Sequence, residues 1–135
     1  MSNHPNALDT TPADATAWVA TLLATVDAKD ADRFVEMLTD DARFTYANQP
    51  SVSGRAAVHA AVTGFFTCVR SLAHSPTHVW AVPGHVIVEG NVRYERRDSR
   101  EVTLPFVNVL AVRDDRIADY RIYIDGTPLF STSAG

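Results

Sequence analysis

The last third of the chain alternates apolar and polar positions. From Leu104 to Asp125 it reads LPFVNVLAVRDDRIADYRIYID, two runs rich in Val, Ile, Leu, Phe and Tyr around Arg113-Asp114-Asp115-Arg116. Runs of this composition suit a pleated, half-buried surface, and an Asp-Asp centre suits a tight turn, so the stretch predicts a β-hairpin. With the turn centred between Asp114 and Asp115, Val107 faces Ile122, Asn108 faces Arg121 and Phe106 faces Tyr123.

The pattern upstream changes period. Trp18, Leu22 and Val26, with Val19 and Leu23 beside them, form a stripe at helical spacing. Thr11 is placed to cap that helix, with Pro12 in its first position and Asp14 in its first turn, and the helix ends near Ala28. Asp30 caps a second, short helix presenting Phe34, Met37 and Leu38 and ending at residues 39–41. Residues 42–47 read as a strand closed by Asn48-Gln49-Pro50, and residues 54–71 as a third helix carrying Val58, Val62, Phe65, Phe66 and Val69. Ser75-Pro76 predicts a break, followed by strands at 77–82, 85–96, 101–112 and 116–125. Helices first and antiparallel strands after them predict an α+β domain, helices on one side of a curved sheet, enclosing a conical cavity.

At 135 residues the chain is long enough for one core. We expect a flexible tail at 1–10, a single domain at 11–130 and a second tail at 131–135. Net charge is −4 with scattered basic residues, which argues against a polyanion partner such as nucleic acid. The lone Cys68 excludes an intramolecular disulfide, and no Cys/His spacing suggests a zinc site. No segment reads as membrane-spanning and the N-terminus lacks a basic region followed by an apolar run, so a cytoplasmic location is expected.

Several short stretches carry a family resemblance: Asp27-Ala28-Lys29-Asp30-Ala31-Asp32, Leu38-Thr39-Asp40-Asp41-Ala42, Ser53-Gly54-Arg55, Asp115-Arg116-Ile117, and Tyr120-Arg121-Ile122-Tyr123-Ile124-Asp125. In this order they resemble the SnoaL-like group of the nuclear transport factor 2-like superfamily, with its polyketide cyclases, ketosteroid isomerases and limonene epoxide hydrolases. The resemblance covers nearly all of Trp18 to Phe130. It implies the helix-capped cone, dimerisation through the convex sheet face, and no metal or organic cofactor. It does not carry the known catalytic sets across. Against the ketosteroid isomerases, the proton-shuttling Asp falls on Tyr46, the oxyanion Tyr on Leu22 and the oxyanion Asp near Val107. Against the epoxide hydrolases, the water-activating carboxylate falls on Ile122 and the Arg and Asp pair near Gly90 and Val92.

A turn centred between Asp98 and Ser99 pairs Tyr94 with Thr103, Val92 with Pro105 and Gly90 with Val107. The cavity face then holds Val88, Gly90, Val92, Tyr94, Thr103, Pro105, Val107, Val109, Tyr120, Ile122 and Ile124. A slip of one residue inverts this. It would bring Glu89, Asn108 and Arg121 into the cavity as a row flanked by Arg93 and Asp125, a set suited to orienting water or an oxyanion.

The candidate chemistry follows from the first assignment. His74, His78 and Tyr46 are the candidate catalytic groups, because imidazole exchanges protons near neutral pH and a phenol can polarise an oxygen. Trp18, Leu22, Phe66, Trp80, Tyr94, Val107, Tyr120 and Ile122 are the candidate ligand-binding residues. The expected ligand is small and apolar or aromatic. As an enzyme the chain would be a cofactor-independent isomerase, cyclase, dehydratase or hydrolase acting on an apolar carbonyl compound. The competing expectation is a non-catalytic ligand-binding or assembly module. His59 and His4 have no evident partner in the sequence.

Overall fold

The structure is a computed structural model and describes Pro12 and residues 14–130. Its elements, in chain order, are α1 (Ala15–Asp27), α2 (Ala31–Glu36), β1 (Leu38–Tyr46), β2 (Val52–Ser53), α3 (Arg55–Cys68), β3 (Val69–Val82), β4 (His85–Arg96), β5 (Glu101–Arg113), β6 (Arg116–Ile124) and α4 (Thr127–Phe130). The strands form one curved six-stranded sheet in the order β2-β1-β6-β5-β4-β3. Neighbours are antiparallel except β1 and β6, which pair in parallel. This is the expected α+β cone with one parallel ladder added.

Local chemistry sets the boundaries. Asp14 caps α1, accepting a hydrogen bond from the Ala17 amide at 3.0 Å, so the helix starts later than predicted. The expected cap Thr11 lies outside the described residues, as do the two expected tails, 1–10 and 131–135. Lys29, at φ 58°, turns the chain out of α1, and Asp30 caps α2 through the Arg33 amide at 3.0 Å, as expected. The helix α2 stops at Glu36, and β1 begins at Leu38, four residues before the predicted strand. The register of β1 against β6 shifts between Leu38 and Arg43, and Arg55 donates to the Leu38 carbonyl through Nε and Nη2 at 3.2 and 2.6 Å. That contact ties the start of α3 to the irregular part of the strand. Neither β2 nor α4 was predicted.

The predicted break at Ser75-Pro76 is absent. The strand β3 starts at Val69, and Pro76 lies within it. An edge strand tolerates a proline because one side of it has no ladder to complete, and β3 is at the edge. The register shifts by one residue between Pro76 and His78, leaving Thr77 as the extra residue of a bulge.

Two more one-residue shifts correct the expected cavity face. The β5–β6 turn falls where predicted, with Asp114 and Asp115 at φ 55° and 62° and Arg113 opposite Arg116. A shift between Ala111 and Val112 then moves Val107 opposite Tyr123, Asn108 opposite Ile122 and Phe106 opposite Ile124. At the β4–β5 turn Ser99 adopts φ 70° and the Arg96 amide donates to the Arg100 carbonyl at 2.7 Å, enclosing a three-residue loop. Tyr94 therefore faces Val102, Val92 faces Leu104 and Gly90 faces Phe106. Both shifts act on β5. The inward residues of β4 and β6 are as expected, but β5 is inverted: Leu104, Phe106, Asn108 and Leu110 are buried, while Val107 and Val109 turn outward. The alternative row is not assembled either, since Asn108 is inside while Glu89 faces out on β4.

Val19 and Leu22 of α1, Val58 of α3, and Val86, Val88, Val92, Leu110 and Ile117 of the sheet are fully buried between the two layers. No helix among the described residues is long and apolar enough to cross a membrane.

Candidate functional site

Between the helices and the inner sheet face lies a cavity of about 420 Å³, within the range of small-molecule sites. Its exposed lining residues, Gln49, Pro50, Ala61, Cys68 and Phe130, mark the mouth. There Tyr46, Phe65 and Phe130 form an aromatic cluster, with ring centroids 5.1 to 6.4 Å apart. Phe34, Phe44, Val92 and Ile122 add apolar wall, and the polar groups inside are few.

The most developed polar feature is His74 of β3 against Asp27, the last residue of α1. The imidazole Nδ1 is 2.5 Å from Asp27 Oδ1, and the His74 backbone amide donates to Oδ2 at 2.9 Å. The two-point contact fixes the ring. The His74 side chain is 10 % exposed, and the edge-on ring of Phe106, with centroids 5.2 Å apart, packs against it. With Nδ1 committed to the carboxylate, Nε2 is the nitrogen left for a ligand, as base or as acid.

Three phenols accompany it. The hydroxyls of Tyr46 and Tyr94 are 3.5 Å apart. Burial raises the pKa of Tyr46 above the usual phenol value, opposed by its contact with Tyr94. Burial raises Tyr94 much further, helped by Tyr46, Tyr120 and the negative charge of Asp27. Tyr120 is raised by burial first and then by Asp27. All three remain protonated donors across the physiological range. Asn108 completes the set, its Nδ2 donating to the Tyr120 hydroxyl at 3.4 Å.

Of the candidate residues, His74, Tyr46, Phe66, Tyr94, Tyr120 and Ile122 line the cavity. Trp18 and Leu22 do not: Leu22 is buried in the core and Trp18 packs partly buried against it. Val107 belongs to the inverted strand and faces the opposite side, into a groove shared with His78, Glu89 and Tyr123. His78 and Trp80 share a face, as their spacing implies, and stack with parallel rings 5.3 Å apart. That face is the outer one. His74 and His78 are four residues apart and would point the same way in a regular strand, but the bulge at Thr77 turns His78 outward to Glu89, 3.1 Å away. His59 pairs on the surface with Asp32 at 2.6 Å.

Asp27 is a site residue that the sequence reading does not place, and Asn108 enters the cavity there only in the alternative register. Asp27 was a marker of resemblance only. The available signal for Asn108 was a lone amide inside the apolar run of β5. Among the described residues no group of three or more His, Cys, Asp or Glu could hold a metal ion.

Comparison with known proteins agrees with this architecture. A nuclear transport factor 2-like protein of unknown function from Burkholderia pseudomallei superposes with TM-score 0.77 at 18 % identity, covering 84 % of this chain and 92 % of that one. A protein of ketosteroid isomerase-like fold from Catenulispora acidiphila, in complex with trimethylamine, gives TM-score 0.73 at 14 % identity over 78 % and 83 % of the two chains. A limonene epoxide hydrolase-like enzyme of Mycobacterium tuberculosis gives TM-score 0.71 at 19 % identity over 84 % of each. No curated protein matches the sequence. The family model described as a SnoaL-like domain matches residues 19–120, from α1 through Tyr120 of β6, and the chain therefore belongs to the SnoaL-like family.

Proposed function

We propose that the cavity binds a small, apolar, carbonyl-bearing molecule and that His74 moves a proton on it. The observation that carries this reading is the Asp27–His74 pair: a nearly buried imidazole bonded through Nδ1 to a carboxylate that the His74 backbone amide also holds, inside a largely apolar chamber. A base used near neutral pH needs a fixed ring and a defined free nitrogen, and Asp27 supplies both. The protonated hydroxyls of Tyr94 and Tyr46 are suited to polarise the carbonyl oxygen and stabilise the enolate that proton removal creates. Isomerisation, cyclisation and dehydration all share that step. We further propose that the outer sheet face, where Trp80, Val82 and Tyr123 are exposed, joins two copies of the chain.

The cavity reading is tested with a cyclic ketone such as 2-tetralone. Binding is followed by thermal shift, and exchange of the proton next to the carbonyl by NMR in deuterated water. The protein should accelerate exchange, and His74→Gln should lower the acceleration by about 10²-fold or more. A thermal shift without accelerated exchange would instead support a receptor. No shift across a panel of steroids, polyketides and epoxides would remove the small-molecule reading. Light scattering tests the dimer: a monomer at micromolar concentration overturns it.

A further inference from the structure

We infer that the cavity holds its ligand by a hydroxyl group seated between Asn108 and Tyr120, so that the ligand is a neutral, largely apolar alcohol, phenol or enol. This rests on the reading that the cavity takes a small molecule, and it names the chemistry of that molecule.

Asn108 is 1 % exposed and lines the cavity from the middle of β5, between Val88 of β4 and Ile122 of β6. Its amide nitrogen donates to the Tyr120 hydroxyl, while its Oδ1 is buried with no hydrogen-bond partner among the described residues. Buried polar atoms are nearly always paired, because leaving water without a replacement partner is unfavourable. An acceptor in this position therefore points to a donor on whatever occupies the cavity. Tyr120 offers the converse. Its oxygen accepts from Asn108, and burial keeps its own proton in place, so the O–H is available as a donor next to that acceptor.

A hydroxyl matches both with a single atom: it donates and accepts at once, whereas a carbonyl or ether only accepts, an ammonium only donates, and an amide divides the two functions between separate atoms. Among the described residues no Lys or Arg lines the cavity, and the His74 imidazole is already paired with the Asp27 carboxylate, so a carboxylate or phosphate would be desolvated there without a counter-charge of its own. The remaining wall is aromatic and aliphatic and calls for an apolar body. His74 and Tyr94 are then free to act on a different atom of the same ligand.

The test compares 2-naphthol, 2-methylnaphthalene and 2-acetylnaphthalene, which share a ring system and differ in the polar group. Calorimetric titration of the wild-type protein should show 2-naphthol binding about tenfold tighter than either of the others, the worth of one net hydrogen bond. Asn108→Leu and Tyr120→Phe should each narrow that preference to about threefold or less. Equal affinities overturn the hydroxyl seat and leave the pocket reading intact. Preference for 2-acetylnaphthalene overturns it by showing that a carbonyl, not a hydroxyl, anchors the ligand. A preference that persists in a folded Asn108→Leu protein removes Asn108 from the seat. No binding by any of the three overturns this inference and counts against the pocket reading as well. The wild-type ranking decides even where a variant does not fold.

Discussion

Asp27 and His74 are separated by 47 residues in sequence, yet both carboxylate oxygens of Asp27 are engaged by His74, one by the ring and one by the backbone amide. The pair joins the end of α1 to an edge strand, so one contact closes the cone and orients its imidazole. Replacing Asp27 by Ala leaves a buried amide and a ring nitrogen without their acceptor. We expect a loss of about 2 kcal/mol in urea-denaturation stability. Asp27→Asn should retain more stability but lower ketone proton exchange by about 10²-fold or more, because the ring is no longer held in one tautomer by a charge.

Alkaline pH should unfold the protein by way of its tyrosines. Tyr94 and Tyr120 are buried, and their folded pKa values lie above the ordinary phenol value, so the folded state resists ionisation that the unfolded chain undergoes. The stabilising effect is complete below the unfolded value of about 10 and is lost as pH rises past it. Stability should fall by about 2.7 kcal/mol per pH unit above that point for the two together. Denaturant titrations at stepwise higher pH measure the slope. Tyr94→Phe should halve it, and a slope unchanged by that substitution would refute the assignment.

Gly90 of β4 pairs with Pro76, beside the bulge in β3. A Cβ there would overlap the Ser75 carbonyl oxygen and lie 2.7 Å from Pro76 Cα, both backbone atoms. Gly90→Ala should destabilise by about 2 kcal/mol or more, because a backbone shift is needed to admit the methyl group. Gly64 in α3 has nothing within 4 Å of its own added Cβ. Gly64→Ala should stabilise by up to about 1 kcal/mol through helix propensity. The two melting temperatures are predicted to move in opposite directions.

Both central residues of the β5–β6 turn sit at positive φ, 55° at Asp114 and 62° at Asp115. Asn followed by Gly is the better pair for a turn of this hand. The double substitution Asp114→Asn with Asp115→Gly should raise unfolding free energy by about 0.5 to 1 kcal/mol without altering ligand affinity, measured by urea denaturation and calorimetry.

The sequence by itself determined the main elements and their order, the short β2 and α4 excepted. Helical stripes such as Trp18, Leu22 and Val26, the cap at Asp30, and the Asp114-Asp115 turn are local signals, set by side-chain period and backbone preference within a few residues. The inward residues of β4 and β6 were legible for the same reason, and with them Tyr94, Tyr120 and Ile122 of the candidate site. Only the tertiary structure decided the rest. One extra residue at Ala118 of β6, one in the Arg97–Ser99 loop and one at Thr77 each reversed a face, bringing Asn108 in and sending Val107, His78 and Trp80 out. A strand repeats every two residues, so a single inserted residue exchanges inside for outside while leaving the pattern of residue types almost unchanged. Asp27 met His74 for a reason no local pattern holds: the cone closes only when α1 packs across β3, and that contact exists in space before it can be read along the chain.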